Sequence, residues 1–327
     1  MGPMRMREPG RRTFTSPISL PSVSFCGSLN QPTRLFWGGL KNLFSGVTTV
    51  CHHNPYENEV FDHFFPVRVF NHYGWSHSIT FSDDVRADFN NTPPDAPFLI
   101  HAAEGTTTES RKEISRLERM GLLNSQTVIV HGVALEADDW KTLGERGVGL
   151  IWCPSSNLFT LGKTVNLDIL HSTSTVALGN DSPITAQGDF LDEIHFAIGF
   201  GVDPDLLYSM VTENASHLLR LQHGEGQITK GSVANLLIVK DSGISPVQRL
   251  VSLSTADIEL VMLEGRPTLT SPSMATQLPA SILCKMQKVI YGETEWWVQL
   301  DVSSHWQESK KILGKDFRLA GKNFQLA

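Results

Sequence analysis

The stretch PFLIHAAEGTTTESRKEI (Pro97–Ile114) joins a run of apolar residues to an amphipathic segment, with a His and a Glu three residues apart at the junction. PFLIH has the length and composition of a buried strand. The segment Thr106–Met120 predicts a helix: Thr106 and Glu109 stand at capping-box spacing, and Gly121 supplies the stop. Ile114 and Leu117 share its apolar face, while Arg111, Lys112, Arg116 and Glu118 occupy the wet one. A buried strand running straight into a helix is half of a βα unit, so the fold depends on whether the unit repeats.

It repeats downstream. TVIVH (Thr127–His131) precedes a helix near Glu136–Arg146, VGLIWC (Val148–Cys153) precedes a short helix near Leu167–His171, and TVALGND (Thr175–Asp181) precedes helices near Asp189–Phe200 and Pro204–Leu219. Asp203 is the expected N-cap of the last of these, with Pro204 at its first position. Upstream, RLFWGGLKNLFSG reads as an amphipathic helix closed by Gly46, followed by the strand VTTVCH and two further short strands, FPVRVF and WSHSITF. Such alternation implies a parallel sheet, either a (β/α)₈ barrel or a doubly wound sheet. No Gly-rich phosphate loop follows any of the strands, which weakens a dinucleotide-binding reading. After about Arg220 the pattern changes. GQITKGSVANLLIVKD and DIELVMLEGRP alternate with turn residues as in a small antiparallel β domain, and the tail suggests an edge strand at EWWVQLDV and a last helix near Ser309–Phe317.

Composition narrows the partners. The chain has 327 residues, of which 40% are hydrophobic and 19% charged, a soluble globular balance large enough for a sizeable core. A net charge of −7 offers no basic footprint for nucleic acid or an anionic membrane. Cys26, Cys51, Cys153 and Cys284 are scattered without CxxC or CxxH spacing, which argues against a disulfide framework or a thiolate zinc site and fits a reducing cytoplasm. No apolar run approaches bilayer length, and the basic N-terminus lacks the apolar core of a secretory signal. The expectation is a cytoplasmic protein with a small-molecule substrate, no nucleic-acid or membrane partner, and a homodimer as a possible assembly.

Three strands of the alternating region end on an acid–base or metal-capable side chain: His101 with Glu104 in the following loop, then His131, then Asp181. In a parallel barrel such ends converge on one mouth. Imidazole and carboxylate suit zinc or ferrous iron, whose bound water would be the nucleophile while a carboxylate shuttles its proton. Taken singly, each residue has a plainer explanation. A strand-end His is more often hydrogen-bonded structure, Asp181 before Pro183 can cap a turn, and Glu104 can face solvent. Of His52 and His53, adjacent on a strand end, only one can line the mouth, either as a substrate-binding group or as a structural hydrogen bonder. Asn157 is equally open between ligand binding and loop capping. Cys153 has no evident neighbouring base, and His77 and the other histidines lack partner spacing.

The motifs GVTTVCHHNPY, IHAAEG, VHGV, WCPSSNLF, LGNDSP and GQITKGSVANLLIVK, in this order over about residues 34–265, resemble the amidohydrolase superfamily, in particular its cytosine deaminase and chlorohydrolase-like branch. The resemblance implies a (β/α)₈ TIM-like barrel, incomplete at its N-terminus, with a small C-terminal β domain. Its expected divisions are an irregular segment at 1–33, the barrel at 34–220, and a sandwich-like domain with tail at 221–327. It implies hydrolysis of a carbon–nitrogen bond other than a peptide bond, deaminase-like, on a small nitrogenous substrate. By the resemblance His101, Asp181 and His131 are metal ligands, with zinc as the expected ion and ferrous iron as the alternative. Glu104 is then the proton shuttle, His131 contacts the substrate or the activated water, and Asp181 doubles as general base. The family's first barrel strand ends in a His-x-His pair, and this chain has none and no His before His52. That departure suggests a chain starting late, through a misassigned start, a frameshift or a truncation. It also keeps a second expectation: a catalytically inactive or truncated homologue that acts as a binding or scaffold protein. Asn235, where the family usually has Asp, is a lesser departure.

Overall fold

Short apolar strands that alternate with helices can satisfy their backbone only by pairing side by side, and here they do so in parallel. The computed structural model describes residues 28–170, 175–186, 188–314 and 317–327. Residues 1–27, most of the segment expected to be irregular, and His171 lie outside the described residues. β1 (Thr49–Cys51) pairs with β2 (Arg68–Phe70). A separate five-stranded sheet holds β3 (Gly74–Ser78), β4 (Phe98–Ala102), β5 (Thr127–His131), β6 (Gly149–Trp152) and β7 (Val176–Leu178) in sequential order, every pair parallel.

Strand alternation sorts this sheet into two faces. Phe98, Ile100, Ile129, Leu150, Trp152, Val176 and Leu178 pack on one side with Ile114, Leu117, Trp140, Leu143, Ile194 and Leu207 from the helices, forming the first core. Leu99, Val128 and Ala177 belong to a smaller cluster with Cys51, Trp75 and Ile151. The helices differ in detail from expectation. The helical segment after β4 is broken into Thr108–Arg111 and Glu113–Arg119. Its cap is Thr107, whose Oγ1 accepts from the Ser110 amide, so the box at Thr106 does not form; Glu109 instead accepts from Lys112 Nζ at 3.0 Å. Pro154–Leu161 is a helix that the Ser-rich stretch conceals, with Pro154 at its first position, where no amide is needed.

The C-terminal region is a seven-stranded antiparallel sheet built from β8 (Leu236–Val239), β9 (Ile258–Leu263), β10 (Arg266–Thr270), β11 (Gln287–Tyr291), β12 (Thr294–Val298), β13 (Arg318–Leu319) and β14 (Lys322–Leu326), in the order β13-β14-β11-β12-β10-β9-β8. The expected edge strand at EWWVQLDV is therefore interior. β12 lies between β11 and β10 because Trp296 is buried on one face, while Trp297 takes the Lys288 ammonium over its ring. The expected last helix begins earlier, spanning Val302–Leu313, and a strand pair follows it.

The first described helix, Gln31–Leu43, was grouped by sequence with the barrel, yet its buried face (Thr33, Phe36, Trp37, Leu40 and Leu43) packs into the second core with Tyr291, Trp296, Trp306 and Phe324. Asn30 caps it, Trp37 Nε1 donates to Ser309 Oγ at 2.7 Å, and the His305 ring stacks on Phe36 with centroids 4.0 Å apart. Leu40→Ala removes a fully buried side chain from this seam and is expected to cost about 2–5 kcal/mol, read by urea denaturation. Burial holds the His305 pKa below its ordinary 6.5, with Asp301 and Glu308 opposing. The unfolded chain therefore takes up a proton that the stacked ring resists. The contribution of this contact is complete above about pH 6.5 and declines as pH falls, and His305→Gln should flatten the melting-temperature profile between about pH 7 and 5.

Candidate active site

The register of β4 on β5 brings the strand ends together. Phe98 pairs with Thr127, His101 with Val130 and Ala102 with His131. Strict alternation would then put the His101 and His131 side chains on opposite faces of the sheet. The backbone prevents this: His131 adopts a left-handed conformation at φ 78°, leaves the pleat, and its ring lies 5.1 Å from that of His101. Ala103 at φ 52° and Asp181 at φ 54° are left-handed as well, so each of the three strand ends turns through a conformation that L-residues seldom adopt. Strain of this kind gathers where geometry serves a site. Asp181 lies beyond the last residue of β7, not at its end as the sequence suggested, after a Gly179 whose missing Cβ would stand 2.8 Å from Ile151 Cγ2.

His131 is buried and held by a relay through the helix Pro154–Leu161 that follows the neighbouring strand. Its Nδ1 lies 2.8 Å from Asn157 Oδ1, while Asn157 Nδ2 donates to Thr164 Oγ1 at 3.3 Å, and Trp152 Nε1 donates to the same hydroxyl at 2.7 Å. With the Asn157 amide committed to Thr164, its oxygen is the acceptor, so His131 Nδ1 carries the proton and Nε2 presents a lone pair. That Nε2 faces Glu104 Oε1 at 3.8 Å. Glu104 is half-exposed, and its loop is pinned by Glu113, whose Oε2 accepts from the Ala103 amide at 2.7 Å. Asp181 accepts from the Ser156 hydroxyl and, at 2.9 Å, from Thr185 Oγ1. Burial works to raise its pKa, but Ser156, the facing His131, Thr185 and His101 outweigh it, so the carboxyl sits below its ordinary range and is ionised at neutral pH.

His53, not His52, turns toward the mouth. Its Nδ1 stands 3.1 Å from His101 Nε2, while the His52 ring packs edge-on against Phe61. Burial drives the His101 pKa down to about 3, with further lowering by His53, His131 and His77. Burial and the facing His77 drive His53 down to about 4. Both rings are thus neutral at pH 7, and one proton lies between the two nitrogens.

One residue was invisible to sequence reasoning. The β3–β4 register shifts between Ser76 and Ser78, leaving His77 as the extra residue of a bulge, with its ring 5.0 Å from that of His101. Bulges re-aim side chains and give no signal in a single sequence. Cys153, by contrast, is ruled out as a nucleophile: burial, together with Asp181 and Glu193, raises its thiol well above the ordinary value.

The residues suit a divalent transition metal by donor chemistry: the neutral imidazole of His101 and the His131 Nε2 lone pair converge with the ionised Asp181 carboxylate. Among the described residues no three His, Cys, Asp or Glu side chains are already arranged to hold an ion.

The model of the amidohydrolase family matches residues 95–268. The 5-methylthioadenosine/S-adenosylhomocysteine deaminase of Natronomonas pharaonis is 30% identical over 185 residues, which cover 50% of this chain and 42% of that protein. The enzyme of the same name from Thermococcus kodakarensis is 25% identical over 192 residues, 51% of this chain and 45% of its own length. The chain thus spans less than half the length of these curated relatives. Among solved structures, a zinc-bound adenosine deaminase from Xanthomonas campestris superposes with a TM-score of 0.61 at 15% identity, covering 89% of this chain and 77% of that one. A zinc complex of atrazine chlorohydrolase from Arthrobacter aurescens gives 0.52 at 16% identity, covering 66% and 52%. At such identities these likenesses speak for the fold alone, a TIM-barrel type of α/β architecture. The family match spans more than half of the chain and includes His101, Glu104, His131, Asn157 and Asp181; the chain belongs to the amidohydrolase family.

Proposed function

We propose that the protein is a metal-dependent, deaminase-like hydrolase that replaces an amino group on a small nitrogen heterocycle with oxygen from water, releasing ammonia. The observation that carries this reading is the convergence of His101, His131, Glu104 and Asp181 at one end of the parallel sheet, reached through three left-handed residues. The name of the curated relatives, 5-methylthioadenosine/S-adenosylhomocysteine deaminase, supports the same bond class. We further propose a cytoplasmic setting and a small-molecule substrate without nucleic-acid or membrane partners. Among the described residues no helix is long and apolar enough to cross a membrane.

In this reading His101, Asp181 and His131 hold the ion, zinc before ferrous iron. When bound, a divalent cation supplies Lewis acidity that brings the pKa of water toward neutrality. Asp181, ionised and oriented by Ser156 and Thr185, is the base that accepts a proton from attacking water. Glu104, half-exposed and facing His131 Nε2 at 3.8 Å, carries a proton to the ring nitrogen or the departing amine. The His131 Nε2 lone pair, fixed by the Asn157 contact, orients the water or substrate donor facing it. The half-buried rings of His53 and Trp75, packed edge-on with centroids 5.2 Å apart, limit competing solvent. A second reading, a homologue retained for binding, is favoured by the lack of three side chains already arranged around an ion among the described residues.

The test is ammonia release from aminopurine nucleosides and other amino-heterocycles by protein stripped with chelator and reloaded with zinc. No release from protein carrying a full equivalent of zinc overturns the hydrolase reading. Glu104→Gln is expected to lower turnover by roughly 10²–10⁴-fold while metal content, read by plasma mass spectrometry, stays unchanged. Asp181→Ala is expected to lower metal occupancy; full occupancy would remove it from the ligand set. Asn157→Ala strands the buried His131 donor and should cost about 1–3 kcal/mol of stability in a denaturant titration.

A further inference from the structure

We propose that the cavity between the loops following β4 and β5 is a subsite for an oxyanion, a carboxylate or phosphate group, held by Lys163 and Arg111 beside the candidate active site. The proposal rests on the hydrolase reading only for the entry of substrate at this mouth. None of the cavity's residues belongs to the metal or proton-transfer set named there.

Size decides how much of a ligand fits. The cavity measures about 130 Å³, and its lining includes Gly105, Thr106, Arg111, Val133, Glu136 and Lys163. Water takes ~30 Å³ per molecule in the liquid, and pockets for whole small molecules begin at ~300 Å³. The cavity therefore suits one polar group of a larger ligand, or a small free ion. Its place ties it to the chemistry. Gly105 and Thr106 directly follow Glu104, and Val133 stands two residues after His131. Lys163 precedes Thr164, whose hydroxyl accepts from Asn157 and Trp152 in the relay that holds His131. The segments that line the cavity are thus continuous with those that position the site.

Charge decides which group fits. The lining carries two cations and one acid. Lys163 is exposed, and its ammonium has no carboxylate within ion-pair distance among the described residues. Arg111 Nη1 lies 3.2 Å from Glu136 Oε1, and both side chains are more than half exposed. Such a pair is worth about 1 kcal/mol or less, and the planar fork of the guanidinium can take a second acceptor. The Gly105, Thr106 and Val133 amides donate to no acceptor among the described residues. Glu104, the nearest acid in sequence, faces His131 Nε2 at 3.8 Å. Ala134 and Leu135, both buried, make an apolar side that keeps out water and strengthens the pull of the cations on an anion. A plain solvated cleft would bind no anion at a fixed ratio, and that difference is measurable.

The experiment is equilibrium dialysis of the full chain against radiolabelled inorganic phosphate at low ionic strength, with the protein chelator-stripped so that phosphate cannot report a metal. Saturable binding is expected, with a Kd in the millimolar range or tighter. Lys163→Met and Arg111→Gln are each expected to weaken it roughly tenfold. Lys141→Met, which replaces an exposed lysine beside Glu145, is expected to leave it unchanged. All three side chains are exposed, so these replacements spare the core. Wild-type protein without saturable phosphate binding overturns the subsite, and so does wild-type affinity in both Lys163→Met and Arg111→Gln. A second arm compares an aminopurine nucleoside with its 5′-monophosphate. A roughly tenfold tighter binding of the monophosphate, lost in Lys163→Met, supports the subsite with the anion as part of the substrate. Phosphate binding without that gain supports it with a separate small anion. Phosphate binding by protein that releases no ammonia at full zinc loading removes the hydrolase reading and leaves the subsite standing.

Discussion

The in-register parallel pairing of β4 with β5 is the constraint on which the candidate site depends. Parallel strands hold a fixed register only if their alternating faces are both buried, and here one face meets the helical core while the other meets the Leu99–Val128–Ala177 cluster. A slip of one residue would carry Ile100 and Ile129 from the helical core to the opposite face and Leu99 and Val128 the other way. The same register would, however, keep His101 and His131 on opposite faces. The left-handed turn at His131 resolves that conflict, so two residues 30 positions apart share one mouth through a single backbone dihedral. The strain is tolerated because Gly132 beside it is also left-handed at φ 64° and can be so without steric penalty.

Electrostatics at the mouth follow from that crowding. The rings of His53, His77 and His131 each stand against that of His101, and these neighbours add to the lowering of the His53 and His101 pKa values. Removal from water acts in the same direction, so His53 and His101 remain neutral, while Asp181 opposite them is kept ionised by hydroxyl donors and imidazoles. A cluster of neutral lone pairs facing an anion attracts a cation, in keeping with the donor chemistry and without reference to ancestry.

What the sequence revealed and what it hid have physical causes. PFLIH and TVIVH were legible because continuous apolar runs bounded by turn residues leave few alternatives, and the two histidines closing them were legible for the same reason. Asp181 was recognisable as a residue but displaced as a position, since Leu178 ends the ladder and LGND reads as apolar continuity. Pro154–Leu161 was missed because Ser155, Ser156 and Asn157 mask the helical period; those side chains are instead spent on Glu193, Asp181 and His131. His77 was out of reach altogether, because a bulge is a property of two strands and only one of them is visible in a local window. β12 reads as an edge because only its pairing with the adjacent β11 is local; its second partner, β10, lies beyond β11 in the chain, and non-local pairing leaves no trace in a single segment.

Rigid support of the mouth also reaches beyond the parallel sheet. Asp189 is a fully buried carboxylate, which would be untenable alone, and it is compensated by the Leu191 and Asp192 amides at the start of helix Phe190–Phe200 and by Lys322 Nζ at 2.6 Å. Lys322 begins β14, so the antiparallel sheet supplies the charge that lets this helix start where it does. One turn on, Glu193 accepts from the Ser155 amide at 3.0 Å and from the Ser155 hydroxyl, and the adjacent Ser156 hydroxyl donates to Asp181. The carboxylate at the mouth is thus positioned by a helix that is itself capped from the second core. This arrangement explains why a strained strand end can persist: its orientation is set by groups anchored in two separately packed hydrophobic cores. An ion bound at the mouth would add to that anchoring, because anything that binds the folded chain and not the unfolded one stabilises it in proportion to the logarithm of its saturation.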